Sequence, residues 1–114
     1  MKWPTNEILE LIHRRRNQLT VHSCIYYELN DSLVSDEVWQ RWADELTWLQ
    51  FVWGWRIGLP DDELFHDWDG TTGMHLTKSQ WGMGTAIWLM KITVKELTND
   101  NRSTTNARSK QRKR

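Results

Sequence analysis

Apolar side chains at Ile8, Leu11, Ile12, Leu19, Ile25, Tyr26 and Leu29 recur mostly three or four residues apart, the period of one face of an α-helix. Thr5 or Asn6 follows Pro4 as a candidate N-cap, with Glu7 in the first turn. The pattern predicts a helix from about Glu7 to Leu29. Asn30-Asp31-Ser32 reads as a turn, because these side chains bond to nearby backbone and tolerate unusual dihedrals. Ser35 then caps a second helix, with Asp36 and Glu37 in its first turn, where the helix dipole favours acids. Trp39, Trp42, Ala43, Leu46 and Leu49 form its apolar stripe, and the helix is expected to end near Phe51 or Trp53. Gly54, Gly58 and Pro60 break the pattern, and Asp61-Asp62-Glu63 reads as an acidic loop.

Turn chemistry dominates from Phe65 to Leu76, with Asp69-Gly70 and Thr72-Gly73. Thr77-Lys78-Ser79-Gln80 has the spacing of a capping box and predicts a third helix from about Lys78 to Leu97. That helix carries Trp81, Thr85, Trp88 and Ile92 on one face and Met83, Ile87, Met90 and Val94 on another. A helix apolar on two faces is either central in the fold or packed on a second copy. Gly82 and Gly84 lie inside it; they lower helix propensity, so close packing or a nearby ligand is expected there. The sum is an all-α fold: one domain over residues 1–97, three main helices and a loop-rich middle. Residues 98–114 have too little apolar content to join a core and read as a disordered basic tail.

Composition sharpens this picture. Nine tryptophans in 114 residues exceed what so small a body can bury, so some are expected at a pocket or an interface. The net charge is zero, yet the segment from Thr98 holds six basic residues against Asp100 alone. The rest of the chain is therefore acidic, which disfavours a nucleic-acid surface on the folded part and leaves only weak contact through the tail. A lone Cys24 precludes an internal disulfide and reads as a buried thiol. Met1-Lys2-Trp3-Pro4 is not leader-like and no apolar run reaches membrane-spanning length. A soluble cytoplasmic protein without membrane contact is expected.

The chemistry-bearing residues gather in the middle of the chain. Tyr26-Tyr27 closes the first helix and Asp36, Trp39 and Gln40 open the second, so one corner offers aromatic faces and a carboxylate. His22 lies one turn before Tyr26 and is expected to reach that corner. Asp69-Gly70-Thr71-Thr72-Gly73 offers backbone N–H groups and two hydroxyls as a phosphate cradle. His66, His75, Asp67 and Asp69 match no standard metal-ligand spacing, so no metal is expected. No Ser/His/Asp or Cys/His set supports covalent catalysis. Arg14-Arg15-Arg16 fans out along the first helix and reads as a solvated face.

The stretch from Leu19 to Gln50 resembles the N-terminal helical subdomain of bacterial NAD-dependent DNA ligases. The matching segments are Tyr26-Tyr27, Asp31-Ser32-Leu33-Val34-Ser35-Asp36, Glu37-Val38-Trp39-Gln40 and Glu45-Leu46-Thr47-Trp48-Leu49-Gln50. They align without a gap over about a third of the chain. The chain is similar in this to small phage proteins described as ligase-related. In the ligases the subdomain grips the nicotinamide mononucleotide half of NAD. The resemblance therefore implies ligand contacts at Tyr26, Tyr27, Asp36, Trp39 and Gln40. Two positions depart: Trp39 stands where the ligases have tyrosine, and Gln40 where they have aspartate. The nucleophilic lysine of the ligases has no counterpart, since Asp67 occupies that place in Asp67-Trp68-Asp69-Gly70. The implied function is non-catalytic binding of an NAD-derived nucleotide, with no cofactor. For a phage protein, the natural target is an ADP-ribose-type immune signal made by a TIR-domain enzyme. That is an anti-defence sponge, expected to be a homo-oligomer with Asp69, Thr71, Thr72 and His22 completing the site. The alternative is a helical interaction module docking a host replication or repair protein, its tail touching nucleic acid.

Overall fold

The computed structural model describes residues 3–100, with side chains for residues 3–94. Three helices account for most of them: α1 (Asn6–Tyr27), α2 (Asp36–Trp53) and α3 (Gln80–Asp100). Between α2 and α3 lie two short 3-10 turns, Asp62–Phe65 and Met74–Lys78. No strand occurs among the described residues, and none of their helices is long and apolar enough to cross a membrane. The fold is all-α.

The first two helices start at the predicted caps. Thr5 Oγ1 accepts from the Ile8 N–H at 3.3 Å and Ser35 Oγ from the Val38 N–H at 3.1 Å. Each satisfies one of the backbone donors that a helix start leaves orphaned. α1 ends two residues before the expected Leu29, and Asn30 takes a left-handed conformation (φ 55°) that asparagine tolerates. The third helix starts differently from expectation. Thr77 is spent inside the preceding 3-10 turn, its hydroxyl donating to the Met74 carbonyl at 2.9 Å. Ser79 Oγ caps α3 instead, accepting from Gly82 N–H at 2.9 Å. The serine inside the predicted capping box, not the threonine that opens it, is the cap. α3 continues through Asp100, past the expected end at Leu97; the expectation of a disordered tail falls, from residue 101 on, outside the described residues.

α1, not α3, is the central helix. One side of it joins the main core, where Ile12 and Leu19 meet Ala43, Leu46 and Leu49 of α2 and Ile57, Phe65, Trp68 and Leu76 of the middle segment. Its other side, through Val21, Cys24 and Ile25, packs on Ala86 of α3. Gly82 lets α3 approach: a Cβ there would lie 2.6 Å from Thr20 Cγ2. Burial pushes the Cys24 thiol up to about 11, helped by the charge of Glu28, so it stays protonated and inert at neutral pH. Of the tryptophans only Trp68 is buried, while Trp3, Trp48, Trp81 and Trp88 are exposed.

The arginine run is not a solvated face. Arg14 is exposed and Arg15 pairs with Glu45 at 2.5 Å, but Arg16 is 0% exposed. Its Nε and Nη2 donate to Gln50 Oε1 at 3.0 and 2.8 Å, Nη2 also to the Trp55 carbonyl, and Nη1 to Asp61 and Asp62 at 2.9 and 2.8 Å. The guanidinium lies 5.2 Å from the Phe65 ring centre. Asp62 is likewise buried rather than part of a solvated acidic loop, and its second oxygen accepts from the N–H groups of Ile57 and Gly58. Burial alone would raise the Asp62 pKa; hydrogen bonds from Arg16, Gly58 and Ile57, with the charge of Arg16, carry it below the ordinary value. Burying a charge is tolerated only with this degree of pairing.

Candidate functional site

The end of α1 and the start of α2 form the expected corner, and the loop after Trp68 closes it. A cavity of about 290 Å³ lies between them, lined by Ser23, Tyr26, Tyr27, Asp36, Trp39, Gln40, Thr71 and Thr72. Seven of the residues singled out by sequence meet here. The eighth, Ser23, was not anticipated. Its signal was available: at about 100° per residue, Ser23 points between Tyr26 and Tyr27 on the helix surface.

Side-chain bonds hold the loop against the corner. The Trp39 indole N–H donates to Ser23 Oγ at 3.3 Å, and the ring tilts on Trp68 with centres 6.2 Å apart. Tyr27 and Thr72 share a hydroxyl hydrogen bond of 3.2 Å, and the Tyr26 and Tyr27 rings meet edge to face at 4.8 Å. Gln40 Nε2 donates to the Gly70 carbonyl at 3.1 Å and to Asp44 at 2.9 Å. Gly73 permits the closest approach. A Cβ there would run into Ser23 Oγ and come within 3.0 Å of Trp39 Cζ2.

Two expected residues lie outside the cavity lining. His22 sits against Trp42, ring centres 5.5 Å apart. One residue along a helix turns the side chain by about 100°, and the face that carries Ser23 and the tyrosines is the one the cavity uses. Asp69 instead shapes the loop: its Oδ1 accepts from the Thr71 N–H at 3.0 Å and the Thr71 hydroxyl at 2.7 Å. Those two bonds, the hydroxyl's first, hold the Asp69 pKa below its ordinary value. The same bonds bear on the expected phosphate cradle. Thr71 N–H is spent on Asp69, Met74 N–H on Thr72 Oγ1 at 3.2 Å, and an ionised carboxylate stands beside the loop, repelling phosphate.

His66 Nδ1 lies 3.3 Å from Asp67 Oδ1 while His75 faces Trp68, so the two histidines do not converge. Among the described residues no group of three or more His, Cys, Asp or Glu side chains is placed to hold a metal ion.

The lining holds one carboxylate, Asp36, and no lysine or arginine. Hydroxyls, an amide and aromatic faces suit a flat ring and a sugar better than a phosphate chain. A volume near 290 Å³ is at the lower end for small-molecule sites and suits one ring with its ribose rather than a whole dinucleotide. No family model, curated protein or solved structure matches this chain.

Proposed function

We propose that the α1–α2 corner binds the nicotinamide-nucleoside end of an NAD-derived nucleotide and holds it without turnover. The biological setting proposed is sequestration, in the host cytoplasm, of a TIR-produced ADP-ribose-type signal by a phage protein. The observation that carries the reading is convergence: Tyr26, Tyr27, Asp36, Trp39 and Gln40, the positions matched to the ligase subdomain, all line one cavity. Trp39 offers a face to an electron-poor or cationic ring. Asp36 offers an acceptor to a carboxamide or ribose hydroxyls. No histidine, cysteine or lysine lines the cavity, which favours holding the ligand over attacking it.

Calorimetry with NAD, nicotinamide mononucleotide, ADP-ribose and cyclic ADP-ribose tests the reading. At least one is expected to bind and to change tryptophan emission. Trp39→Ala, checked for folding by circular dichroism, is expected to weaken binding by about 1–3 kcal/mol through the lost stacking face, and Asp36→Asn by a comparable amount, about 1.5–3 kcal/mol. Flat titrations across the whole set would sink the proposal. Intact ligand recovered after denaturing the complex separates a sponge from a hydrolase.

A cavity that holds only half of such a ligand is better closed by a second copy. Ile87, Trp88 and Val94 leave an exposed apolar strip on α3. Gly84 lies beside it, and a Cβ there would meet nothing within 4 Å. A glycine inside a helix costs about 1 kcal/mol relative to alanine, and no contact among the described residues explains this one. Close crossing of a second α3 at Gly84 does. Trp88→Glu is expected to leave a folded monomer by analytical ultracentrifugation at concentrations where the parent self-associates. A parent that is monomeric throughout removes the assembly from the proposal.

The second reading, an interaction module, is favoured by α2. Trp48 and Phe51 stack on each other at 5.9 Å while 62% and 79% exposed. Under it, serine at both positions abolishes partner binding; under the nucleotide reading the titrations are unchanged.

A further inference from the structure

A second, larger cavity of about 510 Å³ opens where α1 meets the middle segment and the start of α3. Its charges and hydrogen bonds give it a character opposite to that of a phosphate site. Arg16 places one positive charge between Asp61 and Asp62, so the cluster keeps one negative charge in surplus. Asp62 is satisfied at both oxygens, by Arg16 and by the Ile57 and Gly58 N–H groups. Asp61 gives only Oδ1 to Arg16, and it is Asp61 that lines the cavity, its side chain 19% exposed. The walls are apolar: the indole of Trp81, 55% exposed, with Leu64 and Pro60. Asn17 supplies a further acceptor on the α1 side. Thr20 adds an independent sign. It is 3% exposed, its methyl faces Gly82, it lines the cavity, and its hydroxyl has no hydrogen-bond partner among the described residues. The hydroxyl is not a buried orphan; it is reachable through the cavity and so is open to a group that enters there. No lysine or arginine lines the space; His13, 3.3 Å from Asn17 Nδ2, and Ser79 complete the lining.

We propose that this cleft binds a small organic cation, an amine or amidine on a flat apolar body. Asp61 Oδ2 takes the positive group, the Trp81 face covers the ring, and Thr20 accepts one remaining N–H. A carboxylate beside an indole face selects for such a cation by charge and by cation–π attraction together. The site is independent of the α1–α2 corner and stands whether or not the corner binds a nucleotide.

The test uses the full chain and three nearly isosteric probes, benzamidine, benzamide and benzoate, titrated by NMR on the tryptophan indole N–H signals, with the Trp81 signal assigned from Trp81→Phe. Benzamidine is expected to shift the Trp81 signal, with benzamide at least tenfold weaker and benzoate silent. Benzamidine binding should fall as salt is raised from about 20 to about 500 mM, because part of the attraction is screened. Asp61→Asn is expected to remove the preference for benzamidine over benzamide. Since that variant also touches Arg16, Trp81→Ala, which replaces an exposed side chain, is the second arm and should weaken benzamidine at least fivefold with the fold intact. Equal binding of benzamidine and benzamide to the parent would overturn the proposal, as would shifts confined to the Trp39 signal or full-strength binding to Trp81→Ala.

Discussion

Arg16→Ala is expected to lower the melting temperature by at least ~15 °C, following from a loss of about 3–5 kcal/mol for removing one partner of a buried ion pair. The loss is large because five donors disappear at once. Asp61 and Asp62 lose their counter-ion, the Trp55 carbonyl and Gln50 Oε1 lose donors, and Phe65 loses the guanidinium over its face. Lysine does not replace it. It has three donors on one nitrogen and no planar fork to reach Gln50, Trp55 and both carboxylates together. A total stability of about 5–15 kcal/mol is usual for a domain, so Arg16→Ala should be partly unfolded at 37 °C. Thermal denaturation followed by circular dichroism checks it, and a melting point within a few degrees of the parent's would show that the cluster contributes little.

The same cluster sets an acid limit. Asp62 has its folded-state pKa depressed below the ordinary aspartate value. Its contribution is therefore fully present above the unfolded value of about 3.9 and is lost as pH falls from there through the depressed folded value. Asp62→Asn should be less stable than the parent at neutral pH, with the gap closing below about pH 4.

Gly73→Ala is the second substitution with a large expected effect, on the corner rather than on the core. The added methyl would collide with Ser23 Oγ and crowd Trp39 Cζ2. Ser23 is on α1 and Trp39 on α2, both buried or half-buried, so neither yields freely and the loop must lift. Overpacking of this kind costs about 1–3 kcal/mol. Lifting the loop also strains the Tyr27–Thr72 and Gln40–Gly70 bonds that close the cavity. Ligand affinity, where ligand binding is found, should fall with stability. The cause is checked by a double-mutant cycle: Ser23→Gly added to Gly73→Ala should recover most of the loss, a coupling expected only for residues in contact. Additive effects in that cycle would mean that the loop is not seated on Ser23.

The candidate site was legible because its parts are short-range signals. Tyr26-Tyr27 marks a helix end, Ser35-Asp36 a capped helix start, and Trp39-Gln40 the next turn on the same helix. A short turn between two helices forces those ends together whatever the rest of the chain does. Loop residues Thr71 and Thr72 were readable as polar and turn-forming, but their bonds to Tyr27 and Asp69 were not. For the expected phosphate cradle, composition counts donors, and only geometry tells which of them are spent. His22 and Ser23 exchanged roles because one residue of helix rotation decides which side chain faces the loop.

By itself the sequence determined the all-α class, the breaks at Asn30 and Gly54 and the caps at Thr5 and Ser35, since periodicity and capping act over three or four residues. Only the tertiary structure decided that Arg16 and Asp62 are interior, that α1 is central, and that α3 leaves tryptophans uncovered. Arg16 meets Gln50 and Asp62 across 34 and 46 residues of chain, and no local pattern distinguishes it from Arg14 or Arg15. The physical reason is that a charge is buried by the partners that assemble around it, and those partners are brought together by the fold.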